Sequence, residues 1–229
     1  MPFFGRSLLA GSRGPSRTAS TATLWNTSGT FSYDLVSGKF DNAYSWNTSS
    51  NRQNGFYVTL PQNIGGNAGP GTVEFWIRIT TLGQQQTYFA MDTTSVPTYV
   101  LGGGGDDFRV NTGYGTVTFG SINVADSSFA INTYHHMAFT NAGSTVSWTW
   151  WLNGVSQGTE QIGSDAGINT FAFGKGSTPT GGLFIDEIRA SKTRRYTANF
   201  TPSSSAFSND SNTLALFHCE TDPAEDDIN

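Results

Sequence analysis

From about residue 38 onward, this chain is a succession of short runs rich in Val, Ile, Phe, Tyr, Trp and Thr, and none of them keeps a helical period. The runs read KFDNAYSW, GFYVTLP, TVEFWIRI, TYFAMD, TYVLG, DFRVNTG, TVTFGS, YHHMAFT, STVSWTWWLNGVSQG, TFAFGK, GLFIDEIRA and TLALFHC, spaced by Gly, Asn, Pro and Asp turns. In TVEFWIRI, Val73, Phe75, Ile77 and Ile79 fall on one face, with Glu74, Trp76 and Arg78 on the other. Val146, Trp148, Trp150 and Leu152 likewise share a face, and Asn153-Gly154 follows as a type I′ hairpin turn. About a dozen such strands without a helical stretch predict an all-β fold built as a two-sheet antiparallel sandwich. The 27 Gly and the 13% of charged residues agree, because soluble proteins average nearer 25% charged and helices draw on Glu and Lys.

The first 35 residues stand apart. They are rich in Gly, Ser, Thr and Arg and keep no period, so they read as an extended N-terminal arm. Before Asp34 the only charged side chains are Arg6, Arg13 and Arg17, whereas the last ten residues hold Glu220, Asp222, Glu225, Asp226 and Asp227. A basic head and an acidic tail on a weakly charged body suggest interaction arms, the alternative being ends that are merely solvated. The expected division is therefore an arm over 1–35, a sandwich over 36–220 and an acidic tail over 221–229. An unpatterned arm needs either its own domain or a neighbouring chain to hold it. Arg6, Arg13 and Arg17 are the candidate docking contacts.

Several function classes recede at this point. The net charge of −5 argues against a nucleic-acid partner. No run approaches the roughly 18 apolar residues of a membrane helix, so membrane insertion is not expected. Gly5, Arg6 and Gly11 to Arg13 interrupt the start, which gives no export signal. Cys219, the one cysteine, alternates with apolar residues in LALFHC and reads as a buried thiol.

Read in order, these pieces resemble the laminin-G-like, concanavalin A-type jelly rolls found in bacteriophage and bacterial surface proteins. KFDNAYSW followed by GFYVTLP resembles that family's opening strands, and GTVEFWIRI its EFW strand. TYHHMAFT is similar to its W-H-H-V-A strand, with Tyr134 at the Trp position. GLFIDEIRASKTRRYTANFTPSSSAF resembles its closing segment: a strand bearing I-D-E-[IV]-R, then RYT-x-NFTP. The resemblance covers about residues 38 to 218 and implies a jelly-roll sandwich. The closing motif further implies a non-enzymatic structural protein of a phage virion, a capsid decoration or a tail or fibre module at the virion surface. Its partners would be other virion proteins and further copies of itself. The alternative is a lectin-like module that binds host cell-surface glycans.

The acidic pair in GLFIDEIRA invites a catalytic reading. Retaining glycosidases on this sandwich carry E-x-D-x-E on one strand, because the chemistry needs two carboxyl groups about 5 Å apart on one face. Asp186 and Glu187 are adjacent, which on a regular strand sends them to opposite faces, and E-x-D-x-E occurs nowhere in the chain. No catalytic residue is expected. Asp186 is then expected on a face with Phe184, Ile188 and Ala190, where a carboxylate must be paired, hydrogen-bonded or metal-bound. Two outcomes stay open: backbone N–H donors from a neighbouring loop, or a calcium ion. The second follows from the resemblance, since relatives of this fold hold calcium with Asp and carbonyl oxygens; Asp92, Asp106 and Asp107 are further donors in loops. Glu187 and Arg189 read as a surface pair. His135 and His136 point apart and share no metal. Trp76 and Trp151 are the candidate exposed platforms for a sugar, unless loops or the arm cover them.

Overall fold

The computed structural model describes residues 21–25, 34–46, 55–80, 86–91, 98–102, 107–114, 117–125, 129–161, 167–173 and 182–220. They form two antiparallel sheets. The first runs β1 (Thr21–Trp25), β4 (Gly55–Ile64), β13 (Ile168–Phe173), β6 (Gln86–Met91), β7 (Thr98–Gly102), β8 (Asp107–Tyr114) and β9 (Val117–Ala125). The second runs β12 (Val155–Gln161), β11 (Ser147–Leu152), β10 (His135–Asn141), β5 (Gly71–Ile79), β14 (Leu183–Ser191), β3 (Asn42–Trp46) and β2 (Asp34–Ser37). A further strand, β15 (Thr213–Phe217), pairs with the C-terminal half of β14.

The period-two pattern decides what lies between the sheets. Val58, Leu60, Ile64, Phe89, Met91, Phe171 and Phe173 of the first sheet meet Val73, Phe75, Ile77, Ile79, Phe139, Trp148, Trp150 and Leu152 of the second. Phe89 is at the centre of this layer: its ring centroid is 4.7 Å from that of Phe75, 5.0 Å from Phe173 and 5.3 Å from Phe139. Asn153 and Gly154 have φ of 49° and 79°, the two left-handed residues of the expected hairpin turn between β11 and β12. Glycine is required there because a methyl group on Gly154 would run into the Phe200 carbonyl.

Two stretches within or beside the expected arm carry strands. β1 pairs with β4 from Thr21↔Thr59 to Trp25↔Gly55, and β2 pairs with β3 from Asp34↔Ser45 to Ser37↔Asn42. Both edge strands are four or five residues long and are held by the longer partner beside them rather than by an alternation of their own. Residues 1–20, with Arg6, Arg13 and Arg17, and the acidic tail 221–229 lie outside the described residues. Among the described residues, no helix is long and apolar enough to cross a membrane. Cys219 is buried, as its alternation suggested.

Candidate functional site

The segment IDEIR does not keep the strand alternation. β14 pairs with β5 as Asp186↔Trp76 and Arg189↔Glu74, so one extra residue is inserted between these positions: a β-bulge, with Glu187 at φ 52°. Before the bulge Leu183 and Ile185 point into the core; after it Ile188 and Ala190 do. Asp186 and Glu187 therefore both stand on the outer face of the second sheet. The expectation that they point apart, with Asp186 beside Ile188 and Ala190, is corrected by this phase shift.

Both carboxylates are buried and hold backbone. Asp186 Oδ2 accepts hydrogen bonds from Lys39 N at 2.7 Å and Phe40 N at 3.1 Å, which fixes the β2–β3 turn on the sheet. Gly38 belongs to the same seat, since a methyl group there would crowd Asn42 O and Asp186 Oδ2. This is the backbone-donor outcome for Asp186. Glu187 accepts from Phe207 N, and its other oxygen lies 2.7 Å from His218 Nδ1. It does not pair with Arg189, and neither residue is at the surface, so the expected surface pair is also corrected. Among the described residues no three His, Cys, Asp or Glu side chains gather as a cation site. Asp92 and Asp106 lie outside the described residues, and Asp107 heads β8.

Burial pushes the Asp186 carboxyl up to about 7, against the pull of the two backbone donors. An acid whose folded pKa exceeds its unfolded value contributes most when protonated, so that contribution is lost as pH rises from about 4 through 7. Asp186→Asn keeps an acceptor for Lys39 and Phe40 but cannot ionise. Its stability relative to wild type should therefore improve between pH 4 and pH 8, by up to about 4 kcal/mol for a shift of about three units. Denaturant unfolding of both proteins across that range checks this; parallel curves would contradict it.

A second buried acid organises the rest of this face. Glu74, fully buried on the outward side of β5, accepts from Arg189 (Nη2 2.7 Å, Nε 2.8 Å) at Oε1 and from the Tyr196 hydroxyl at 2.6 Å at Oε2. His136 Nε2 stands 3.2 Å from Oε2 and Arg195 Nε 3.7 Å from Oε1. Burial alone would raise Glu74's pKa, but the His136 hydrogen bond and the Arg189 charge outweigh it and hold the carboxyl below the usual glutamate value. Arg195 then binds Asp210 with two bonds of 3.0 Å, which lowers the Asp210 pKa, and its backbone N–H reaches Thr72 Oγ1. Arg189 lies over the Phe207 ring at 4.3 Å and donates to Ser208 O. These contacts clamp residues 192–212 across the sheet.

That clamp settles where the tryptophans lie. Trp151 is 2% exposed, facing Phe200 at 5.7 Å and Tyr196 at 6.5 Å, and its Nε1–H donates to Thr140 Oγ1. Trp76 is 6% exposed, clustered with Phe207 and Leu216 and edge-on to Phe40. The closing segment and the β2–β3 turn cover both rings, so the exposed-platform reading of Trp76 and Trp151 is corrected. His135 and His136 do diverge: His135 stacks on Phe129 and bonds Ala130 O, while His136 faces Glu74. Nothing in the sequence marks Glu74 or Tyr196 as a site residue. Glu74 was visible only as the polar member of an alternating strand, which on an open face means solvent.

Residues 52–195, well over half of the chain, match the Laminin_G_3 family model, described as concanavalin A-like lectin/glucanases superfamily. No curated protein sequence matches this one. Among solved structures, the binding domain of Paraclostridial Mosquitocidal Protein 1 superimposes with a TM-score of 0.56 at 14% identity over 77% of this chain and 45% of that one. A structure of botulinum neurotoxin type C, whose cell entry is described as dependent on two ganglioside molecules, gives 0.53 at 14% identity over 76% and 43%. The binding domain of botulinum neurotoxin DC in complex with SialylT gives 0.53 at 12% identity over 76% and 43%. This chain spans less than half the length of each, and at these identities the likeness is one of fold.

Proposed function

The chain belongs to the concanavalin A-like lectin/glucanases superfamily, and from that premise we propose that it is a non-catalytic module that binds carbohydrate through the outer face of its first sheet. The observation that carries this reading is the employment of the carboxylates. Glu74, Asp186, Glu187 and Asp210 each hold this chain's own cations or backbone, and none faces another across a cleft as glycosidic cleavage needs. The closing segment roofs the outer face of the second sheet, so a partner of the sandwich would meet the outer face of the first. There Tyr57 stands half-buried on β4, in register with the small Ala172 of β13, which is in turn in register with Ala90 of β6. Thr59 and Thr170 form the next row. Ala90, Ala172 and Thr170 are themselves buried, so the half-buried Tyr57 ring and Thr59 are the parts of these rows that a pyranose would meet, its C–H face on the aromatic and a hydroxyl toward Thr59. The toxin domains of this fold, described with gangliosides or SialylT, support the substrate class.

The test is a broad glycan array with the full chain. Binding of at least one polysaccharide class is expected, and Tyr57→Ala should weaken it about tenfold or more while the melting temperature stays within a few degrees. A wild-type protein silent across the array would overturn the reading.

A second reading is favoured by RRYTANFTP: the protein is a structural component of a bacteriophage virion, at its surface, docked by its basic head onto other virion proteins or further copies of itself. Adhesion to glycans is compatible with such a place. Because β1 begins at Thr21, the informative truncation removes residues 1–20 and leaves the sheet intact. The truncated chain should fold with an unchanged far-ultraviolet spectrum yet fail to enter particles. Normal incorporation would end this reading.

A further inference from the structure

Four buried polar atoms on the outer face of the second sheet have no hydrogen-bond partner among the described residues: Trp76 Nε1, Arg78 Nε, Asp186 Oδ1 and, on β10, His136 Nδ1. The first three belong to paired positions of β5 and β14. Asp186 is the cross-strand partner of Trp76, and Phe184, two residues along β14, is the partner of Arg78. One turn covers the group: Lys39 and Phe40 donate their backbone N–H to Asp186 Oδ2, Lys39 Nζ lies 4.8 Å over the Trp76 ring, and Phe40 packs edge-on to it. Trp76 and Asp186 are each more than nine-tenths buried. An N–H or carboxylate oxygen left unpaired away from water is costly, so three on paired positions of two neighbouring strands call for a partner.

We propose that Trp76, Arg78 and Asp186 form a site for one buried water molecule beneath the β2–β3 turn. The donor set selects that occupant. Two N–H groups need an acceptor and one carboxylate oxygen needs a donor, and a water molecule supplies both with the usual three bonds of a buried site. A cation is disfavoured, because it would meet two N–H dipoles, the Arg78 guanidinium and the Lys39 ammonium with a single free carboxylate oxygen. The water joins β5 to β14 beside the bulge and closes the seat of the turn. The site is separate from the carbohydrate face proposed on the first sheet, and its outcome does not depend on that reading.

The test is a crystal structure of the full chain at about 1.5 Å, from crystals grown once with a chelator and once with millimolar calcium chloride. A single solvent peak within about 2.7–3.2 Å of Trp76 Nε1 and Asp186 Oδ1, the same in both, is the expected result. A peak that appears only with calcium and has oxygen ligands at 2.3–2.6 Å would overturn it, as would no peak at all. In solution, the Trp76 indole proton, assigned by its loss in Trp76→Phe, should show a direct dipolar cross-peak to water. Its absence in the folded wild type would count equally against the site.

Discussion

Replacing Glu74 with alanine should cost about 3–5 kcal/mol, the usual cost of removing one partner from a buried ionic network. Arg189, with 10% of its side chain exposed, and Arg195, with 15%, would face the vacated position without their shared anion, and the Tyr196 hydroxyl would lose its acceptor. In a chain of this size, that loss lowers the melting temperature by roughly 10 °C. Glu74→Gln should recover less than half, since the amide fills the space but supplies no charge. The loss should also be local before it is global. The closing segment carries Lys192, Arg194 and Arg195, so trypsin should cut it well before the sandwich unfolds. A variant within 1 kcal/mol of wild type and equally resistant to trypsin would show that the roof is held by its aromatic packing alone.

Phe89→Ala should be comparably severe, at about 3–5 kcal/mol, for a different reason. The ring contacts Phe75 and Phe139 from one sheet and Phe171 and Phe173 from the other, so truncation leaves a cavity that both layers line. β-Strands tied by backbone ladders on either side cannot close on it. Phe89→Leu should restore about half. Chemical denaturation measures both, with an unchanged slope expected for a loss of packing. A cost below about 1.5 kcal/mol would mean that the sheets do collapse onto the gap.

The two losses separate the parts of the molecule that differ in how far the sequence foretells them. Phe89 belongs to a core written as alternation. Val73, Phe75, Ile77 and Ile79 can be assigned to one face from sequence alone because side chains on a strand change side at every residue, and the structure keeps that assignment. The Asn153-Gly154 turn is equally local: both residues take positive φ, which Asn and the Cβ-less Gly tolerate best. The absence of E-x-D-x-E likewise spoke against cleavage by that mechanism without any structure, whereas the adjacency of Asp186 and Glu187 did not, because the bulge sets both on one face.

Glu74 belongs to what the chain could not announce. The Tyr196 that bonds it lies 122 residues away, and Arg189 lies 115 away. A polar residue on the outward side of a strand reads as solvent-exposed until something crosses over it. The same crossing turned Trp76 and Trp151 from candidate platforms into buried rings. The bulge at Glu187 is also a tertiary decision, since one inserted residue is defined only against the register of β5. It reverses the side-chain phase of everything after it and puts two carboxylates on one face. β1 and β2 became strands because β4 and β3 offered them open ladders. Sequence determines which faces are apolar and where the chain turns, because those are short-range properties of neighbouring residues. Which outward face is roofed, which acids are buried and which edge gains a strand depend on contacts between distant segments, and only the folded chain brings those together.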